Sequence, residues 1–258
     1  MIELFKEFHL GVLFVSSVSN QKIRVNKFLS TYGNYSRRHG DELIRNGLVF
    51  INHIKANLGM NVYENDRVYV KSGESLNEIK RDIKFVYLAL NKPLGITCTA
   101  CKNDKSNIID FVNFHRRIFP IGRLDKNSHG LILLTNNGDI VNKILRSENN
   151  HEKEYIVRVN KKITHEFINK MSSGVRILNQ KTKSCKIKKI DDLSFNIILT
   201  QGLNRQIRRM CKALDYRVTF LKRIRVLNIE LGNLKVGEYR HIENNELSKL
   251  FSLINYSN

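Results

Sequence analysis

A chain of 258 residues with 41% apolar side chains has room for one large domain and a small one and can build a packed core, which excludes wholesale disorder. Forty-four Lys and Arg against 24 Asp and Glu leave a formal charge of +20 and a pI near 9.9, a balance that attracts polyanions, above all nucleic acid. Four cysteines are too few for a disulfide framework. The single C-x-x-C, Cys98 and Cys101, lacks both the second ligand pair of a zinc site and the helix start of a redox pair, so reduced thiols in a cytoplasmic protein are expected.

In chain order, residues 1–22 read as an N-terminal tail. The apolar patch at Val12–Val15 is too short to span a bilayer, and Glu3 and Glu7 stand where a signal peptide carries basic residues. Residues 23–70 form a small basic module. Val25, Phe28 and Leu29 fall at helical spacing beside Arg24 and Lys27, and Gly33 stops that helix. Ser36 is placed to cap a second helix that carries Arg37, Arg38 and Arg45 and ends near Gly47. Two strands are predicted, one at "LVFINH" with Val49 and Ile51 on one face and one at "DRVYV", residues 66–70. Residues 71–84, rich in Ser, Gly, Glu, Lys and Asp, read as a linker.

The remainder, 85–258, alternates strand-like runs ("FVYLALNKP", "GLILLTN", "KEYIVRV", "FNIILT") with helical or loop segments. That pattern predicts an α+β domain around a mixed or antiparallel sheet flanked by helices. Asp125 lies between a Gly–Arg turn and a polar loop, just before the apolar run Leu131–Leu134; a loop at a strand edge exposes a carboxylate while the strand fixes it. In isolation such an Asp is more often a turn former than a catalyst. Further on, "RQIRRMCKAL" predicts a two-faced helix. Arg205, Arg208, Arg209 and Lys212 make a basic stripe, and Ile207, Met210, Cys211 and Leu214 a buried one.

Two resemblances give these features a context. "IRVNKFLSTYGNYSRRHGDELIRNGLVFINH" resembles the alpha-L (S-four-type) RNA-binding domain, with Arg37 and Arg38 suited to phosphate at a helix N-terminus. "GRLD" followed by "SHGLILLTNNG" resembles the catalytic motif of the bacterial RNA pseudouridine synthases. "LNKPLG" at 90–95, "KEY" at 153–155 and "GLNRQIRRM" at 202–210 match further motifs of that family in order, closest to its RsuA/RluB/RluE/RluF branch. The resemblance implies that Asp125 is the catalytic aspartate, that Tyr155 packs on the target base, that Arg208 pairs with the aspartate and that Arg123 enters the gap left by a flipped nucleotide. Asn127 and His129 occupy variable motif positions and receive no role.

The implied reaction breaks the C1′–N1 bond of uridine, turns the uracil and rejoins it through C5. It exchanges no electrons and imports no group, so no cofactor and no metal are expected. The expected partner is ribosomal RNA, most of all from the large subunit, bound by a monomer with no membrane association. Arg205, Arg209 and Lys212 are expected on RNA phosphates beside Arg24, Lys27, Arg37, Arg38 and Arg45. Whether Asp125 attacks C6, attacks C1′ or removes a proton stays open. So do a small-subunit or transfer RNA substrate and a non-catalytic role in ribosome assembly.

Overall fold

The structure is a computed structural model that describes residues 22–101 and 103–256. The tail expected over 1–22, with its apolar patch, lies outside the described residues except for Lys22. The chain divides into two compact units, Met1–Asp82 and Ile83–Asn258.

In the small unit the first helix, Val25–Tyr32, buries Val25, Phe28 and Leu29, the positions that the helical spacing singles out. The second, Arg37–Arg45, starts at Ser36, whose Oγ accepts from the His39 N–H at 3.1 Å. Gly40 lets this helix approach the first, because a Cβ there would meet Leu29 Cδ1 at 3.4 Å. Against the helices lies a four-stranded antiparallel sheet in the order Ile54–Lys55, Val49–Ile51, Val68–Ser72, Ser75–Glu78. Val49, Ile51, Val68 and Val70 supply its buried face.

The fourth strand corrects the linker reading of 71–84. Residues 71–78 form a hairpin turning at Gly73, whose φ is +59, and Ile79 packs on the small core. Arg81 then lies 4.9 Å over the Phe28 ring and donates to the Tyr63 carbonyl. Edge pairing uses backbone groups alone, so the four exposed side chains of Ser75–Glu78 carry no apolar signature.

The large unit is built on a mixed nine-stranded sheet with the main order Lys186–Lys189, Ser194–Leu199, Lys153–Val159, Val218–Val226, His129–Thr135, Tyr87–Lys92, Tyr239–His241. Ile229–Glu230 and Phe119–Ile121 are added beside it. The central strands explain their continuous apolar sequence by being covered on both faces. Ala89, Leu131 and Leu133 face Ile140, Ile144 and Leu250 on one side, while Leu88, Leu90, Ile132 and Leu134 face Ile108, Val112 and Ile118 on the other. Each such side chain contributes about 1.5–3 kcal/mol by leaving water. At the far end Val157, Phe195, Ile197 and Leu221 pack on Phe167 and Met171 of the helix His165–Ser172 and on Ile207 and Met210 of the helix Gln206–Ala213.

One junction joins the two halves of this sheet. His129–Thr135 runs parallel to Val218–Val226, pairing Lys222 with His129 and Arg223 with Gly130. Every other pairing in the sheet is antiparallel. Gly130 has φ +102, and a Cβ there would stand 2.2 Å from the Arg223 carbonyl oxygen. Only glycine allows that approach, and the loop that carries Asp125 enters the sheet at this point.

Candidate active site

Asp125 lies on the loop between Phe119–Ile121 and His129–Thr135. Three contacts set the loop's shape: the Ser128 N–H donates to the Asp125 carbonyl at 3.0 Å, the Gly95 N–H to Lys126 O at 2.9 Å, and the Leu124 N–H to Cys98 Sγ at 3.3 Å. Lys92, fully buried at the end of its strand, donates to Pro93 O and Ile96 O, both at 2.8 Å. It thereby holds the turn on which Gly95 sits. Burial pushes the Lys92 ammonium down from its ordinary pKa, while Cys98 and Asp125 oppose that shift.

The carboxylate faces two guanidinium groups. Arg205 Nη1 stands 3.6 Å and Arg208 Nε 3.7 Å from Asp125 Oδ2. The Arg208 side chain is 16% exposed and the Arg205 side chain 45%, so Arg208 is the better-shielded partner. Arg208 makes no two-pronged clamp on the carboxylate. Its Nη2 donates to Asn127 O at 2.6 Å and Ser128 Oγ at 3.1 Å, and its Nη1 to Val218 O at 3.4 Å. The fork is taken up by the loop itself, and only Nε is left toward Asp125. Arg208 thus fixes both the loop and the charge at its tip.

Arg205 also departs from the predicted basic stripe. It is not a helical residue but the cap before Gln206–Ala213, with φ +50, and that turn carries its side chain to the carboxylate. Arg209 donates to Asn204 O at 3.0 Å and Asn204 Oδ1 at 3.2 Å, so it braces the same turn while remaining exposed. Lys212 is exposed and lines a neighbouring depression with Arg209, Tyr216 and Arg217. On the buried stripe Ile207, Met210 and Cys211 are in the core, and Leu214 is half-buried at the helix end.

Asp125 opens onto a cleft of about 1130 Å³. Its wall includes Arg123, Lys153, Tyr155, Arg205, Arg208 and Arg223. Tyr155 is on the strand Lys153–Val159 and pairs directly with Arg223 across the sheet. Arg223 is buried and donates from Nε to Leu131 O at 2.6 Å, which ties the Tyr155 strand to the Asp125 strand. Arg123 is exposed. Beside one carboxylate the wall therefore gathers six Lys and Arg side chains, Lys126 among them, a field suited to a polyanion.

Comparison with known proteins decides the family. The profile described as RNA pseudouridylate synthase matches residues 86–213, and the S4 domain profile matches 23–68. The dual-specificity RNA pseudouridine synthase RluF of Escherichia coli (strain K12) is 50% identical over 238 residues, 92% of this chain and 81% of that one. The chain belongs to the RNA pseudouridine synthases. It is therefore an isomerase that acts on RNA, with an S4 domain ahead of the synthase domain. Ribosomal large subunit pseudouridine synthase B of Bacillus subtilis (strain 168) is 32% identical across 90% of this chain and 97% of that one. A crystal structure of a pseudouridylate synthase superposes with a TM-score of 0.64 at 26% identity, covering 88% and 99% of the two chains.

Within this pseudouridine synthase the small unit keeps Arg24, Arg37, Arg38 and Arg45 exposed and Lys27 half-buried. The thiols are free, with Cys98 buried beside the Asp125 loop and Cys101 exposed. Among the described residues no helix is long and apolar enough to cross a membrane. Sequence reasoning missed Lys92, Lys153 and Arg223, the buried or half-buried cations around the cleft. Their one signal was a charged residue inside an otherwise strand-like run.

Proposed function

We propose that this pseudouridine synthase isomerises a specific uridine of large-subunit ribosomal RNA in the cytoplasm, with Asp125 as its essential carboxylate. The observation that carries the reading is the Asp125 carboxylate at 3.6 and 3.7 Å from two arginines, at the wall of a cleft that Tyr155 also lines. The two guanidinium groups hold the carboxylate at the cleft, where a nucleophile or a base has to stand. The target uridine leaves its stack at a cost of a few kcal/mol, and stacking on Tyr155 returns about 1–3 kcal/mol. Arg123, exposed at the cleft, occupies the gap that the base leaves. Arg205, Arg209 and Lys212 serve phosphates nearby, Arg205 while also pairing with Asp125, and the small unit adds Arg24, Lys27, Arg37, Arg38 and Arg45. Names of relatives support the choice of RNA: one is called a ribosomal large subunit enzyme and another dual-specificity.

The test is pseudouridine mapping in ribosomal and transfer RNA from cells that lack the protein, complemented with wild type or Asp125→Asn. We expect one or more large-subunit sites to vanish, to return with wild type and to stay absent with Asp125→Asn. A site restored by Asp125→Asn removes that residue from the chemistry. Loss confined to small-subunit or transfer RNA overturns the substrate assignment.

A further inference from the structure

We propose that the Lys153 ammonium receives the negative charge that the uracil ring takes on when its bond to ribose breaks. The inference rests on the reading of the cleft as the uridine-isomerising site.

Lys153 begins the strand Lys153–Val159, two residues before Tyr155. Side chains two apart on a strand share a face, and both residues line the cleft with Asp125. Lys153 is half-buried, yet the hydrogen bond its Nζ makes is a long one, 3.4 Å to the His151 carbonyl. No ion pair joins it to a carboxylate among the described residues. The acids flanking it in sequence are occupied elsewhere: Arg225 holds Glu152 at 2.9 Å and Glu154 at 2.7 Å. The charged group that bears on it most is another cation, Arg223, from the adjoining strand. The remaining titratable groups near it are Tyr155 on its own strand and His151, whose Nδ1 is 3.1 Å from Ile144 O. The same cleft wall also carries Arg123, Asp125, Lys126, Arg205 and Arg208. A cation drawn out of water without a counter-charge is costly, and an anion arriving in the cleft relieves that cost.

Two anions enter with an RNA strand, its phosphates and the uracil ring during reaction. The exposed Lys126, Arg205 and Arg209 are open to phosphates without burial. Lys153 instead shares a strand and the cleft wall with Tyr155, on whose ring the base is expected to stack. When C1′–N1 breaks, the bonding pair leaves with the uracil, and its charge spreads over N1, O2 and O4. As C5 bonds to C1′, C5 loses one proton and N1 gains one, so the proton count closes with Lys153 unchanged. A fixed donor aimed at such developing charge accelerates reactions by about 10²–10³-fold. Burial, reinforced by Arg223, brings the Lys153 pKa down to about 8. The ammonium is therefore present at neutral pH and lost as pH rises through that value.

The test measures kcat at saturating RNA from about pH 6.5 to 9.5, with affinity, its salt dependence and the melting temperature, for wild type, Lys153→Met and Lys153→Arg. We expect Lys153→Met to lower kcat by about 10²-fold with affinity and salt slope unchanged. We expect wild-type kcat to fall above pH 8, and Lys153→Arg to keep substantial activity and abolish that decline. Should Lys153→Met lose affinity and salt slope while keeping kcat, Lys153 is a phosphate contact and the proposal is overturned. Unchanged kcat in the Met variant, or the same alkaline decline in the Arg variant, overturns it as well. A wild-type protein that isomerises no RNA overturns the underlying reading instead, before any variant is compared.

Discussion

The arginines of the small unit and those of the cleft use one side-chain chemistry in opposite ways. Arg37, Arg38 and Arg45 are exposed on a helix whose apolar face is fixed by Ile44, and among the described residues no fixed partner orients their charges. Arg208 and Arg223 are largely buried, and each holds backbone carbonyls of the segment that carries or follows Asp125. An exposed cation keeps its hydration and its rotamers and serves as a movable, salt-screened charge for phosphate. A buried one has lost both, and what it supplies is position. On the proposed function, affinity and chemistry belong to different cations within one very basic chain.

Removing a cation from each region sharpens that contrast, and the largest effect is expected at Arg208. Arg208→Ala removes a neighbouring charge from Asp125 and frees Asn127 O and Ser128 Oγ from the same side chain. A loss of about 10²–10³-fold in kcat is expected with little change in RNA affinity. Arg208→Lys should recover only part of it, because an ammonium cannot span the loop and the carboxylate together. Single-turnover kinetics with a binding titration decide the matter, and a full rescue by Lys would show that charge alone suffices.

Tyr155 comes next. Tyr155→Ala should cost about 1–3 kcal/mol of base stacking, and Tyr155→Phe should bind normally. If the hydroxyl helps to remove the C5 proton, the Phe variant stalls after bond cleavage. Equal turnover in Phe and wild type eliminates the hydroxyl.

The smallest effect is expected from Arg37→Ala with Arg38→Ala. Taking away one phosphate-binding cation lowers the slope of log K against log salt by about 0.7–0.9, so the pair should flatten it by nearly twice that amount. Turnover at saturating RNA should hold. A double variant with unchanged salt slope but impaired turnover would mean that the division of labour between the regions is wrong.

The secondary structure of the motif-bearing segments was legible because periodicity and capping are local. Ser36 caps its helix, Val49 and Ile51 share a buried face, and "KEYIVRV" is a strand from Lys153 to Val159. The hairpin Val68–Ser72 with Ser75–Glu78 was not, since its outer strand is specified by backbone pairing alone. The short strand Phe119–Ile121 and the helix Asn244–Leu253 also went unread, being defined by what they pack against.

By itself the sequence determined the RNA partner class and the order of the S4 and synthase modules, and it singled out Asp125, Tyr155 and Arg208 as candidates, because charge and ordered motifs are properties of the string. Only the tertiary structure decided how these residues meet. Asp125 and Arg208 are brought together where Gly130 lets one strand approach Arg223, a contact between segments more than ninety positions apart in the numbering. The fold also gave Arg205 its carboxylate, turned the Arg208 fork onto the loop and left Lys153 half-buried with no acid paired to it among the described residues. Spacing along a chain records which residues share a helix or a strand face, whereas the direction and burial of a long cationic side chain depend on whatever the fold packs around it.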